Sequence, residues 1–420
     1  MNRGFYTIMA AQFFSSLADT ALLFVAIDLL TRLNSPAYMS PMLKQSFVLF
    51  YIVLAAFVGA FSDSMPKGRV MFIANLIKIS GCAMLFFGVY PVLAYAVVGF
   101  GAAVYSPAKY GILTELLPAE KLVPANGWIE GLTVLSIILG TVMGGWLVSQ
   151  RAAEMLLGLD LPLQHMGIDT APEAAICVTA CLYVAAGLFN LFIPDTGARY
   201  MRHELNPSRL LGDFGRCVRV LWHDKLGQVS LAVTTLFWGA GATLQFIVLK
   251  WAEKSLNMPY DRATRLVGIV AIGMAAGAVM SARMIRLKDT LKVLPFGIAM
   301  GLIVMVMPWV QSVSLAYPLL ILIGALSGFF VVPMNALLQH RGHVLMSAGS
   351  SIAVQNFNEN ISILAMLAMY ALMLSLNLDL DVIIVLFGLF VAGIMVLITL
   401  RHAANQRQFD SVALIGEGGH

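Results

Sequence analysis

The sequence predicts an all-α membrane protein with twelve transmembrane helices arranged as two six-helix pseudo-repeats. Three observations lead there. The 420 residues are 60% hydrophobic and 11% charged, against about 25% charged in an ordinary soluble domain. Apolar runs of roughly 20 residues, the length that crosses ~30 Å of hydrocarbon, recur from end to end. None has the strict alternation of a barrel strand, so the backbone groups must be satisfied inside helices.

The spans read as 5–30, 44–62, 69–90, 92–117, 122–149, 172–193, 226–252, 263–286, 290–310, 314–339, 346–375 and 380–401. The first has Arg3 before an apolar stretch, like a signal peptide. Its apolar run continues past Ala21 and holds Asp19, which favours an uncleaved span. The longest polar connection divides the chain into an N-terminal bundle (1–193), a cytoplasmic linker (194–225), a C-terminal bundle (226–402) and a cytoplasmic tail (403–420).

Lysine and arginine set the orientation. With both termini in the cytoplasm, 17 of the 26 basic residues fall on that side and 7 on the other, with Lys78 and Lys109 left within spans. The net charge of +4 is then an orientation signal, and nucleic-acid binding is not expected. Cys82, Cys177, Cys181 and Cys217 form no disulfide framework, and Cys177 and Cys181 lack the further ligands of a metal site. No HExxH, serine–histidine–acid set or cysteine nucleophile is present. His340 and His343 read as a solvated pair at a helix end, so an enzyme is not expected.

The halves echo each other. Span four carries Pro107 and, two residues on, Lys109; span ten carries Pro333 and, two residues on, Asn335. Phe14–Thr20 aligns loosely with Phe237–Thr243. The loop GAFSDSMPKGR, from Gly59 to Arg69, resembles the signature loop of the major facilitator superfamily, Gly-x3-Asp followed by a basic Gly-Arg. Gly59 permits close helix approach. Asp63 is suited to pair with a cation across a domain interface or to cap a helix. Lys67, Gly68 and Arg69 complete a candidate conformational latch. The second half has Gly277 but Ser281 in place of the acid.

A charge at the bilayer centre costs at least ~2.5–3.5 kcal/mol on insertion scales, so each is a functional candidate. Asp19, Lys78, Lys109, Glu130 and Glu359 lie within spans. Asn75 sits one turn before Lys78, and Asn126 one turn before Glu130. Gln355, Asn356 and Glu359 share a helix face in AVQNFNEN. Three negatives against two positives suggest internal pairing. Pro107, which frees a carbonyl one turn back, followed by Lys109 and Gly111, reads as a broken helix with a lysine facing water or an anion. Asp28 and Glu115 read as solvated ends. Trp238 and Gln245 in span seven are further candidates for lining a cavity.

AQFFSSLADTALLF, VYSPAKYGILTEL, ANGWIE, LFWGAGATLQF, GFFVVPMNALLQHRG and AVQNFNEN, in this order along the chain, resemble the bacterial lysophospholipid transporters of the major facilitator superfamily. That resemblance implies inward movement of lyso-phosphatidylethanolamine and lyso-phosphatidylglycerol across the bacterial inner membrane by alternating access, and no cofactor. It implies reacylation by an acyltransferase/acyl-carrier-protein synthetase, expected here as a separate chain because this one ends soon after span twelve. A monomer is expected. Lys109 or Lys78 would meet the phosphate, and Asp19, Glu130 or Glu359 an ammonium. The chain departs from the pattern at Gln245, where an arginine is implied. Coupling to Na+ or H+ stays open. The alternative is a proton-coupled transporter of another amphipathic solute or drug.

Overall fold

The computed structural model describes residues 3–35, 39–157, 170–198, 207–258, 260–408 and 415. Among them, eleven helices are long and apolar enough to cross a membrane. A twelfth span is a bent pair, α2 (Met39–Val53) and α3 (Ala55–Ser62), turned by 66° at Leu54. The sequence reading of one helix over 44–62 is refined there to a bent pair. Two further helices among the described residues are too polar or too short to span, α7 (Gln150–Leu157) and, in the linker, α9 (Pro207–His223).

Local chemistry sets the helix ends. Thr170 and Glu173 form a reciprocal capping box at the start of α8 (Ala171–Leu191), satisfying two N–H groups that the helix cannot. The Ser347 hydroxyl accepts from the Ser350 N–H at the start of α14 (Ala348–Ser375). Asn34, Asn257 and Asn377 adopt φ near +50° just beyond α1 (Arg3–Arg32), α10 (Gly227–Leu256) and α14. Asparagine tolerates that left-handed conformation and so ends a helix without glycine.

The chain forms two compact units. The first is Met1–Leu116 with Leu135–Leu211, and the second is Leu117–Val134 with Gly212–His420. In the first, α1, α4 (Lys67–Phe86), α5 (Pro91–Leu116) and α8 pack together with α2. Gly99 and Gly101 bring α5 against its neighbours. A Cβ at Gly101 would lie 2.7 Å from the Ala74 carbonyl and 2.7 Å from Lys78 Cγ, and one at Gly99 would strike the Phe47 backbone. Close approach through small residues is how membrane helices gain packing where lipid offers no hydrophobic drive.

The second unit contains α10, α11 (Tyr260–Met284), α12 (Leu294–Val304), α13 (Val313–Leu345), α14 and α15 (Leu380–Gln408). Its tightest seam joins α11 and α13. Gly273 and Gly277 face the backbone of Ile321 and Ala325, and Gly324 and Gly328 face that of Val270 and Met274. Each helix thus offers glycines four apart to the other, and a Cβ at any of the four would run into a carbonyl. Residues 122–134 of α6 (Leu122–Leu147) belong to this unit, with Gly127 seated on Ala278 and Ala282 of α11.

The proline of span four does not break its helix: α5 runs unbroken from Pro91 to Leu116 with Pro107 inside it. Proline removes one donor, here the one that would reach the Ala103 carbonyl, and its φ suits a helix. With the neighbouring turns intact and packed, the helix continues. Pro333 sits inside α13 in the same way.

Candidate functional site

In the first unit the buried charges meet. Asp19 on α1 and Lys78 on α4 form an ion pair at 2.8 Å, with Lys78 2% and Asp19 21% exposed at the side chain. Lys78 also donates to Ser15 Oγ at 3.0 Å, and Ser15 donates to Asn75 Oδ1 at 2.9 Å. Residues four and three apart share a helix face, so Ser15 with Asp19, and Asn75 with Lys78, present two polar edges to each other. Tyr183 donates to Asp19 Oδ1 at 2.7 Å and Tyr95 to the Asp19 carbonyl at 3.1 Å. The ammonium of Lys78 lies 5.1 Å from the Tyr105 ring centroid and 5.5 Å from that of Tyr183, within cation–π range. The three tyrosines escape a reading of the sequence, because nothing separates them from interfacial aromatics until the helices are packed.

Lys109 lies one turn beyond Tyr105 on α5. It is half-buried, and its ammonium stands 4.1 Å from the Tyr110 ring centroid.

At the end of this unit the signature loop forms its own ion cluster. Asp63, which ends α3, pairs with Lys67 at 2.6 Å, and Lys67 also donates to the Ser62 carbonyl at 2.8 Å. Lys67 reaches Glu115 at 3.7 Å, and Thr196 donates to the other Glu115 oxygen at 2.8 Å. One expectation is corrected: Glu115 is not a solvated helix end, since its side chain is 7% exposed. The fully enclosed Lys67 ammonium faces both Asp63 and Glu115 there. Gly59 is buried, Gly68 packs against Asn190 and Ile193, and Arg69 is exposed.

The second unit holds a chain of amides joining two carboxylates. Asn335 donates to Glu130 Oε1 at 3.3 Å and accepts from Gln355 at 3.0 Å, and Gln355 donates to Glu359 Oε1 at 2.8 Å. One turn along, Asn126 and Gln339 exchange two hydrogen bonds at 2.9 and 2.8 Å. Asn126 and Glu130 are four apart, as are Asn335 and Gln339, so two rungs join α6 to α13. All six side chains are buried. Asn356 is buried beside them on α14, and its carbonyl accepts from Asn360. Trp238 and Gln245 on α10 are half-buried; Trp238 packs edge-on to Phe237 at 5.5 Å.

Two further groups depart from the sequence reading. Arg341, one of the 17 basic residues counted on the cytoplasmic side, is 5% exposed and forms a two-point pair with Asp224 at 2.6 and 3.2 Å. Asp224 also accepts from the N–H groups of Leu226 and Gly227 at the start of α10. His340 is buried at 7% exposure while His343 is exposed, so they are not a solvated pair. Arg199 and Arg202 lie outside the described residues.

The multi-pass helices, buried ion pairs and glycine-lined seams are those of a polytopic helical membrane protein. The chain belongs to the Major Facilitator Superfamily, whose family model matches residues 8–365, and it is a transporter and not an enzyme. It is 42% identical over 379 residues to a lysophospholipid transporter of Yersinia enterocolitica, covering 90% of this chain and 89% of that one. The same identity, with 90% and 88% covered, relates it to a lysophospholipid transporter of Yersinia pestis. The resemblance drawn from SPAKYG and VQNFNEN is thereby borne out. Solved structures share the fold. The human organic anion transporter MFSD10 superposes with a TM-score of 0.70 at 14% identity, covering 96% of this chain and all of that one. The transporter FucP in its outward conformation gives 0.68 at 11% identity, with 96% and 98% covered.

Proposed function

We propose that this protein carries lysophospholipids, lyso-phosphatidylethanolamine and lyso-phosphatidylglycerol among them, from the outer to the inner leaflet of a bacterial inner membrane by alternating access, for reacylation by a separate acyltransferase. The observation that carries the reading is the ordered match, across nine-tenths of the chain, to relatives named for that substrate.

The geometry suggests how roles divide. Lys78 is committed to Asp19, Ser15 and two tyrosine faces, so it holds α4 to α1 and fixes the cluster's shape. Lys109, less enclosed and one turn away, is the cation for the headgroup phosphate, acting as a compact point charge. Trp238 and Gln245 serve as contacts for the substrate on α10. Glu130, Asn335, Gln355, Asn356 and Glu359 form the site at which an ion, H+ or Na+, would couple to transport. The cluster of Asp63, Lys67 and Glu115 acts as the conformational latch with Gly59, Gly68 and Arg69. Both termini face the cytoplasm, as the lysine and arginine bias requires, and the protein works as a monomer.

The test is reconstitution into vesicles with labelled lyso-phosphatidylethanolamine, comparing wild type with Lys109→Ala. The expected result is flipping by the wild type and its loss in the variant. Flipping by both would retain the substrate and remove the role of Lys109. A folded wild type that moves no lysolipid would overturn the function, and soluble solutes under a proton gradient would then be tried. Collapsing Na+ and H+ gradients separately identifies the coupling ion.

A further inference from the structure

Beside the signature loop, within the first unit, lies a cavity of about 250 Å³ lined by Lys67, Gly68, Arg69, Asn190, Asp195 and Thr196, among others. It opens where α4 begins and α8 ends. A Cβ at Gly68 would sit 3.1 Å from the Asn190 carbonyl and 3.2 Å from Ile193 Cβ, so the two helix ends abut without it. Asn190 is 2% exposed, and neither its amide nitrogen nor its amide oxygen has a hydrogen-bond partner. A buried amide left unmatched is unfavourable, because its desolvation is not offset by a hydrogen bond. Here a donor and an acceptor are left unmatched together beside an open volume.

We infer that this cavity is a second headgroup site, distinct from the Asp19–Lys78 cluster, and that it takes a phosphate–ammonium zwitterion such as the glycerophosphoethanolamine end of a lipid. The inference rests on the lysophospholipid reading and adds a site to it. The charges around the cavity divide by sign. At the α4 side the helix begins, Pro66 supplies no side-chain cap, and the helix dipole favours an anion. Arg69 stands exposed there, with no ion pair among the described residues. At the α8 side the helix presents its negative end, and Asp195 is exposed, with one oxygen accepting from the Gly197 N–H at 3.0 Å. Lys67 is held by Asp63, the Ser62 carbonyl and Glu115, so Arg69 is the cation for the phosphate and Asp195 the anion for the ammonium. Asn190, with one donor and one acceptor, suits the polar atoms of the linking glycerophosphate. A ligand here would bear on the latch, because Lys67 and Thr196 belong to both.

The test places a thiol in the cavity by Ile193→Cys and reads its alkylation by N-ethylmaleimide through mass spectrometry of that peptide, in the reconstituted full chain. Soluble glycerophosphoethanolamine should slow the reaction, and inorganic phosphate should slow it less. Adding Asn190→Leu should raise the half-protecting concentration by about tenfold or more, the loss expected for a hydrogen bond to a charged group. Adding Asp195→Asn, an exposed change that spares the core, should make glycerophosphoethanolamine and phosphate equally weak. No protection by glycerophosphoethanolamine, or equal protection by phosphate in the parent protein, overturns the proposal. Lysolipid flipping is measured on the same vesicles. Flipping without protection rejects the cavity and keeps the transport reading, whereas protection without flipping rejects the transport reading and keeps the cavity. Vesicles with and without lyso-phosphatidylethanolamine, in the absence of soluble probe, decide whether the natural occupant is membrane lipid.

Discussion

Lys78→Met removes the buried ammonium while keeping most of the side chain's volume, so its cost can be worked out from the contacts that remain. Asp19 loses its ion pair at 2.8 Å and keeps the Tyr183 hydroxyl at 2.7 Å. Ser15 keeps its bond to Asn75. Removing one partner of a buried pair typically costs about 3–5 kcal/mol, because the other charge stays behind uncompensated. Asp19 is 21% exposed and retains a donor, so the lower end, about 3 kcal/mol, applies. Asp19→Asn strands the more deeply buried Lys78, which keeps Ser15 and two aromatic faces, at a similar cost of about 3 kcal/mol. The double variant leaves no charge and should cost less than the two single losses together, giving a coupling of at least about 2 kcal/mol. The assay is the thermal midpoint of all four proteins in one detergent, with folding checked by far-ultraviolet circular dichroism. Additive losses, or single variants as stable as wild type, would refute the idea that this pair is a buried electrostatic contact holding α1 to α4.

Packing and charge elsewhere have consequences of their own. Gly328→Leu drives a side chain into the Met274 backbone across the α11–α13 seam, and overpacking of about 1–3 kcal/mol or more should appear as a lower thermal midpoint, whereas Gly131→Ala, inside α6 with open space around it, should not lower it. Arg341→Met strands Asp224 at 10% exposure and should cost about 3 kcal/mol; Arg341→Lys should recover only part, because a point charge replaces a two-point fork. Asp379 accepts from Lys254 at 2.7 Å, and this bond, then one from the Asp381 N–H, lowers its pKa. A carboxyl depressed in the folded state contributes stability above its unfolded value of about 3.9 and loses it as pH falls through the folded one. The thermal midpoint of wild type should therefore fall toward that of Lys254→Met between about pH 5 and pH 3, and parallel curves would contradict this.

The membrane class, the helix count and the identity of the residues that cannot face lipid were all legible in the amino-acid order. These are local properties, since a span needs only length and apolarity and an intramembrane charge is conspicuous wherever it falls. The near balance of Asp19, Lys78, Lys109, Glu130 and Glu359 also said that pairing was required. Which groups pair emerged only from the packing of the helices. Asp19 and Lys78 are 59 residues apart and Glu130 and Asn335 are 205 apart, and no local pattern encodes which helix faces meet. Tyr95, Tyr105 and Tyr183 gained a role only when four helices converged on one carboxylate and one ammonium. Glu115 and His340 looked solvated because they lie near helix ends, but burial depends on what packs over an end. Pro107 looked like a break because proline lacks one donor, yet continuity depends on every other hydrogen bond and on the helices alongside. Composition chooses the solvent a segment prefers, and only the packed fold decides which neighbour replaces it.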